Sequence, residues 1–177
     1  MVVGGYSPHA GIGGCRAPRT NIELFDPAGG GAWSYNGEKL ALGRIDHTAV
    51  TLWSGDYRVF VAGGNTAGGY TDTVEFVTAT AGQATPPTAV AAVGPPMPGG
   101  GCEWMAHALA QNLADIVLAG GGAGGPALTR VEVLETGTNQ WRVEGPPDAG
   151  RPVPQLPVAR ASAAMTRLGS QGRMFLG

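Results

Sequence analysis

The stretch Val59-Phe60-Val61-Ala62-Gly63-Gly64 is an apolar run that ends in a pair of glycines, and the chain repeats it. Matching runs end at Gly4-Gly5 and at Gly120-Gly121, so the first glycines of successive pairs lie 59 and 57 residues apart. A further run begins at Arg173 and reaches Gly177. Self-similarity at a fixed period of this kind is typical of repeat architectures, in which each unit packs against its neighbours.

Three other features keep the same register. A short apolar strand with a central Glu follows each glycine pair, as Asn21-Ile22-Glu23-Leu24-Phe25, Thr73-Val74-Glu75-Phe76-Val77 and Arg130-Val131-Glu132-Val133-Leu134. Trp33 and Trp141 come about ten residues later in two of the copies, whereas the middle copy has Ala84-Thr85 there. A segment with a leading Arg or a central His then opens the next unit, at Arg44 to Leu52, Trp104 to Leu109 and Arg160 to Thr166. We therefore predict four short strands per unit, separated by turn-rich loops.

One stretch conflicts with this register. Glu103 to Leu113 is rich in helix formers, and taken alone it predicts an amphipathic helix. The repeat predicts a strand, a turn and a second strand over the same residues. We adopt the repeat prediction, because tertiary context commonly overrides helix propensity.

In order, the Arg-x-x-His segment, the glycine pair, the apolar-Glu-apolar strand and the Trp resemble the kelch repeat, over essentially the whole chain. The resemblance implies an all-β fold, a kelch-type β-propeller with about three four-stranded antiparallel blades. The repeat units run roughly over 1–43, 44–100 and 101–159, with a partial unit at 160–177. Because propellers typically have four to eight blades, we expect a segment of a larger propeller, with two copies pairing into a six-bladed ring as the alternative.

The resemblance also assigns structural roles to the repeated residues. Each glycine pair would allow positive φ and a close approach between backbones where blades crowd together. Trp33 and Trp141 would fill the gap between stacked blades, where an aromatic ring removes much apolar area from water. The recurrent Glu would bond backbone amides or an Arg of an adjacent blade, which is a structural role and not a catalytic one.

Composition excludes several classes of function. The formal net charge is −2, and the 11 Lys and Arg residues form no run, so nothing predicts nucleic-acid binding. No apolar stretch is long enough to span a membrane. No signal peptide is visible and the chain has two cysteines, Cys15 and Cys102, so a cytoplasmic location is favoured while an extracellular one stays open. Free thiols are the default prediction, a Cys15–Cys102 disulfide is the alternative, and no zinc-ligand spacing occurs.

The kelch resemblance also implies where a partner would bind. In that family the ligand face is built from loops between the second and third strands, here 6–20, 65–72 and 122–129, and from loops that enter the next blade, here 39–44, 94–104 and 146–160. Eight residues of these loops are candidate partner-binding residues, namely Tyr6, His9, Arg16, Arg19, Asn65, Tyr70, Glu103 and Arg160. We expect a non-enzymatic protein–protein interaction scaffold that needs no cofactor, metal or catalytic residue.

Two other functions are weighed against this expectation. Copper radical oxidases of the galactose or glyoxal oxidase type have similar repeats and hold copper with two His and two Tyr, one Tyr being crosslinked to a Cys. Here Asp46-His47 stands where that family has a Tyr-His pair, and His47 and His107 hold matching repeat positions, which favours a packing role; His9 is unassigned. The second alternative is a carbohydrate-binding propeller, in which Trp33 and Trp141 would stack on sugars.

Overall fold

The structure is a computed structural model. It describes residues 1–7, 17–26, 30–35, 37, 39–53, 57–79, 89–101, 106–109, 115–122, 125–143, 155–162, 165–168 and 173–176. Over these residues the regular structure consists of β-strands alone, and every strand pairing is antiparallel. The prediction of an all-β chain with antiparallel sheets is therefore confirmed.

The first sheet, sheet I, is organised around one long strand. Its strands are β1 (Val2–Val3), β2 (Tyr6–Ser7), β3 (Ala17–Asp26), β4 (Ala32–Ser34) and β5 (Lys39–Arg44). The long strand β3 pairs with all four others. Ile22 and Leu24 are buried while the intervening Glu23 and the following Phe25 are exposed, which is the period-two alternation of a strand with one covered face.

Sheet II is a simple meander of four strands. Its strands are β6 (Thr48–Trp53), β7 (Tyr57–Ala62), β10 (Val74–Ala79) and β11 (Ala89–Val93), in that order across the sheet. Between the two central strands lies a small hairpin of β8 (Asn65–Thr66) and β9 (Gly69–Tyr70). Phe60, Val61 and Val77 are fully buried, because β7 and β10 are covered on both faces.

Sheet III repeats this meander. Its strands are β12 (Ala106–Leu109), β13 (Ile116–Ala119), β14 (Val131–Glu135) and β15 (Gln140–Val143). The helix-prone stretch thus contains β12, with residues 102–105 and 110–114 outside the described part. A last hairpin, hairpin IV, pairs β16 (Met165–Leu168) with β17 (Arg173–Leu176).

The sheets are stacked face to face, and apolar clusters fill the spaces between them. Ile22, Leu24 and Leu40 of sheet I pack with Val61 and Val77 of sheet II. The other face of sheet II packs on sheet III through a larger cluster that consists of Leu52, Phe60, Ala62, Val74, Phe76, Met97, Ile116, Leu118 and Leu134. Val117 and Val133 of sheet III pack with Met165 of hairpin IV. Strand β12 contacts both β6 and β16, so the first strands of successive units are neighbours.

The glycine pairs have the same backbone role in each sheet. The amides of Gly4, Gly63 and Gly120 donate to the carbonyls of Asn21, Thr73 and Arg130 at 2.8–3.1 Å. The second glycines of the pairs have φ values of +92°, +95° and +96°, a region that strongly favours glycine. A Cβ on Gly64 would lie 2.5 Å from the carbonyl oxygen of Ile45, so the close approach itself excludes a side chain. Because each accepts a hydrogen bond from the first glycine of a pair, three residues occupy equivalent positions in sheets I, II and III, namely Asn21, Thr73 and Arg130.

Candidate functional site: the loop end of the sheets

Two sets of loops meet at one end of the sheets, which we call the loop end. One set consists of the loops that follow the glycine pairs, of which the structure describes residues 6–7, 17–20, 65–72, 122 and 125–129. The other set consists of the connections from one sheet to the next, described over residues 39–44, 94–101 and 155–160. Backbone hydrogen bonds join the two sets: the amide of Gly5 donates to the carbonyl of Arg44 at 3.0 Å, and the amide of Met97 donates to the carbonyl of Asp72 at 2.8 Å. Over its described residues, the loop end is therefore a hydrogen-bonded surface and not a set of independent loops.

The sheet I part of the loop end presents Arg19. Its amide donates to the carbonyl of Gly5 at 2.8 Å, and Tyr6 pairs in register with Pro18 in the β2–β3 ladder. Arg19 is exposed. The backbone that carries this guanidinium is thus held on both sides.

The sheet II part presents Tyr70. Asn65 and Ile45 exchange two backbone hydrogen bonds, at 2.8 and 2.9 Å, which fix the start of the β8–β9 hairpin against the connection from sheet I. The Thr66 hydroxyl closes the turn, since it donates to the carbonyl of Gly69 at 2.8 Å and accepts from the amide of Gly68 at 3.1 Å. Tyr70 stands at the end of this hairpin and is 40% exposed.

The sheet III part presents Arg160. The amide of Gly121 donates to the carbonyl of Arg160 at 2.8 Å, and the amide of Arg160 donates to the carbonyl of Leu128 at 3.0 Å. A third backbone bond, from Leu156 to Thr129 at 2.8 Å, holds the same connection further along. Arg160 is exposed, although its backbone lies in a network of three hydrogen bonds.

The eight predicted binding residues divide into two groups. Arg19, Asn65, Tyr70 and Arg160 lie at the loop end, and the backbone of Tyr6 lies there too. His9, Arg16 and Glu103 lie outside the described residues, as do Cys15 and Cys102. Asn65 differs from the three other placed side chains, because it is half-buried and its backbone holds the hairpin in place. The placement of these residues leaves their partner-binding role a prediction.

A buried ion pair supports the loop end from below. Arg44 ends β5, is fully buried, and donates from Nη2 to Oε1 of Glu75 at 2.6 Å. It also donates from Nη1 to the carbonyls of Gly63 at 2.8 Å and Thr73 at 3.1 Å. The amide of Ala41 donates to Oε2 of Glu75 at 2.7 Å, so both carboxylate oxygens are bonded to the connection from sheet I. Glu75 thus bonds both a backbone amide and an arginine of the neighbouring sheet.

Glu132 holds the equivalent position in sheet III, and its environment is different. Its Oε1 accepts from the amide of Gly99 at 2.8 Å and lies 3.3 Å from Nε of Arg130, while Oε2 has no hydrogen-bond partner among the described residues. Burial raises the pKa of Glu132 above its usual value, and the opposing effect of Arg130 is smaller. Glu132 and Arg130 line an open cavity of about 340 Å³ together with Thr129 and Gln155.

Sequence reasoning did not single out Arg130, although a signal for it exists. Thr48 pairs with Ala62 and Ala106 pairs with Ala119, and each of these alanines directly precedes a glycine pair, so Ala106 corresponds to Thr48. The predicted match of His47 with His107 is therefore wrong by two residues. By the same count the position of Arg44 holds Cys102, so the third copy has no arginine there. Arg130 lies two residues before Glu132 and supplies the guanidinium from the same strand entry. It also donates to the carbonyls of Gly99 and Gly100, which fastens the connection from sheet II.

His47 is half-buried and lies next to Arg44. Burial, with a further contribution from the Arg44 charge, lowers the pKa of His47 to about 4. Its ring lies against the first glycine pair, because a Cβ on Gly4 would be 2.9 Å from Cε1 of His47. The imidazole of His47 is therefore neutral at pH 7, in a packed position between two sheets. The side chain of His107 lies outside the described part.

The described residues contain no group of three or more His, Cys, Asp or Glu side chains that could hold a metal ion. They also contain no helix that is long and apolar enough to cross a membrane. The two tryptophans of the carbohydrate alternative have different surroundings. Trp141 packs on Phe60 with ring centroids 6.4 Å apart, whereas Trp33 is 57% exposed and lies 5.1 Å from the ring of Phe25.

Comparison with known proteins gives a likeness in fold alone. No protein-family model matches the chain, and no curated protein matches it. Among solved structures, 129 chains match. One of them, described as "Structure of YjhT", has a TM-score of 0.62 and 17% sequence identity over 88% of this chain and 47% of its own. This chain therefore spans about half the length of that neighbour and shares its fold over the matched part.

Proposed function

We propose that this chain is a segment of a kelch-type β-propeller and that its loop end binds a protein partner without catalysing a reaction. The repeated glycine pairs, the two four-stranded meanders and the neighbouring first strands β6, β12 and β16 support the propeller part of the proposal. The likeness in fold to a solved structure is consistent with it.

The observation that carries the binding role is the exposure of Arg19, Tyr70 and Arg160 on backbone that is itself hydrogen-bonded. Tyrosine and arginine are the residue types that anchor protein interfaces, and little conformational entropy is lost when their backbone is already fixed. The two guanidinium groups favour a partner surface that carries carboxylates. Tyr70 favours an apolar recess beside them.

The test is affinity capture with matched variants. The wild-type chain is compared with Tyr70→Ala and with Arg160→Glu, and proteins retained by each are identified by mass spectrometry and then measured as purified pairs. We expect each change to weaken binding at least about tenfold, equivalent to about 1.4 kcal/mol. Tyr35→Ala is the matched control, because Tyr35 is also an exposed tyrosine, 49% accessible, and follows β4.

The proposal fails if the loop-end variants keep wild-type affinity, or if Tyr35→Ala weakens binding as much as Tyr70→Ala does. Circular dichroism and urea unfolding of each variant show whether the fold is intact. Since Tyr70 and Arg160 are exposed, we expect unfolding midpoints close to that of the wild type.

A further inference from the structure

One face of sheet I carries exposed side chains at positions that the other sheets bury. We call this the leading face and define it as Glu23 and Phe25 of β3 and Trp33 of β4. Phe25 is 43% exposed, Trp33 is 57% exposed, and Glu23 is also exposed. Two neighbouring aromatic rings open to solvent form an apolar surface of the kind that marks an interface.

The hydrogen bonds of the glycine pairs show which positions correspond. Because Asn21, Thr73 and Arg130 are equivalent, the residues two and four places later are equivalent as well. In sheets II and III these residues are 0–1% exposed, namely Glu75, Val77, Glu132 and Leu134. Each of them faces the preceding sheet: Val77 packs on Leu24 and Leu40, and Leu134 packs in the cluster of Phe60 and Met97. The leading face thus repeats the contact face of two interfaces seen within this chain.

The contacts of Trp141 show what would cover Trp33. Trp141 packs edge to face on Phe60, and its Nε1 donates to the carbonyl of Pro95 at 3.0 Å. Phe60 belongs to the second strand of the preceding unit and pairs with Val50. An occupant of the leading face therefore needs a phenylalanine at the position of Phe60, on the second strand of an antiparallel hairpin.

Hairpin IV supplies a residue at this position. The carbonyls of Arg44 and Arg160 accept from Gly5 and Gly121, and the residues two places later, Asp46 and Ser162, both have φ of +54°. Arg44 and Arg160 are therefore equivalent. Val50, six residues after Arg44, pairs with Phe60, and Thr166, six residues after Arg160, pairs with Phe175.

We propose that the leading face binds hairpin IV of a second copy of this chain. In this pair, Phe175 of each copy lies next to Trp33 of the other. Each copy carries both surfaces, so a two-fold pair satisfies both at once. The chain lengths agree with this arrangement. The matched part is 88% of this chain and 47% of the solved neighbour, so two copies of this chain have about the length of one neighbour chain. This surface is separate from the loop end.

The experiment measures the mass of the 177-residue chain in solution and then crosslinks the pair. By sedimentation we expect the wild type to have the mass of two chains and Trp33→Glu to have the mass of one chain. Tyr70→Ala is the control and should have the mass of two chains.

The crosslinking test uses a background of Cys15→Ser and Cys102→Ser. In that background Trp33→Cys with Phe175→Cys should form disulfide-linked dimers, whereas Tyr70→Cys with Phe175→Cys should not. A monomeric wild type, a dimer unchanged by Trp33→Glu, or equal crosslinking of both cysteine pairs overturns the proposal. None of these outcomes affects binding at Tyr70 and Arg160.

Discussion

Nη2 of Arg44 lies 2.6 Å from Oε1 of Glu75, and both side chains are within 1% of complete burial. The ion pair links β5 of sheet I to β10, one of the two central strands of sheet II. Glu75 also accepts a hydrogen bond from the amide of Ala41. A buried charge that loses its partner is costly to keep out of water. The ion pair therefore couples the folding of the two sheets.

Glu75→Gln should lower the free energy of unfolding by about 3–5 kcal/mol, because it leaves the Arg44 guanidinium buried without a counter-charge. Urea unfolding followed by fluorescence measures this. Glu135→Gln is the matched control: Glu135 pairs with Arg142 at 2.7 Å, but both side chains are partly exposed, so its loss should cost less than about 1 kcal/mol. Equal effects of the two substitutions would contradict the structural role of Glu75.

Lowering the pH should destabilise the fold through His47. Its pKa is about 4 in the folded chain and 6.5 when unperturbed, so the unfolded state binds the proton more readily. The contribution is present in full above pH 6.5 and is lost as the pH falls towards 4, up to about 3 kcal/mol at 1.36 kcal/mol per unit. Glu132 acts in the opposite direction, because its raised pKa favours the folded state at acidic pH.

The difference between wild type and His47→Gln isolates the histidine. The free energy of unfolding of each is measured at several values between pH 7 and pH 4. We expect the wild type to lose more stability than the variant over this range. Parallel curves would show that His47 is not held neutral by its surroundings.

Gly64→Ala should destabilise the chain by about 2–5 kcal/mol, because the new Cβ would lie 2.5 Å from the carbonyl oxygen of Ile45 and the residue has φ of +95°. Gly69→Ala separates the two causes: Gly69 has φ of +105° but no atom within 4 Å of the added Cβ. Its cost should be only about 1–2 kcal/mol, from the backbone conformation. If thermal or urea unfolding gives the same loss for both, close packing at the glycine pair is not what requires glycine.

Trp141→Ala should cost about 3–5 kcal/mol, as expected when a packed aromatic side chain is removed. Trp141→Phe keeps a ring against Phe60 and removes the bond to the carbonyl of Pro95, so it should cost about 1 kcal/mol from that bond. Urea unfolding of both variants checks the order. A larger loss for Trp141→Phe than for Trp141→Ala would contradict the packing role.

Much of this arrangement could be predicted from the sequence. The glycine pairs give the strand register directly, because a residue with positive φ at a close backbone approach must be glycine. The bonding of Glu75 to an amide and an arginine also follows from its repeat position. The register even predicts strand β12 within a helix-prone stretch, since pairing with β13 outweighs local propensity.

Other features depend on which surface a neighbouring sheet covers, and a single repeat does not contain this information. Trp33 and Trp141 have the same repeat position, but within the described residues Trp141 packs on Phe60 of the preceding sheet whereas Trp33 is 57% exposed. The predicted packing between sheets is therefore seen at Trp141 and stays a prediction for Trp33. Arg130 takes a role that Arg44 has elsewhere, through contacts with Gly99 about thirty positions away. Each of the two glutamates, Glu75 and Glu132, thus has an arginine beside it, but the two arginines come from different positions of the repeat.

Hydrogen–deuterium exchange of the chain, alone and bound to its captured partner, tests the binding role of the loop end most directly. We expect the partner to slow exchange at residues 18–20, 65–72 and 156–161, around Arg19, Tyr70 and Arg160, and to leave exchange at residues 22–26 of β3 and in β4 unchanged. Protection confined to residues 22–26 and β4, with none at the loop end, would contradict the proposed function.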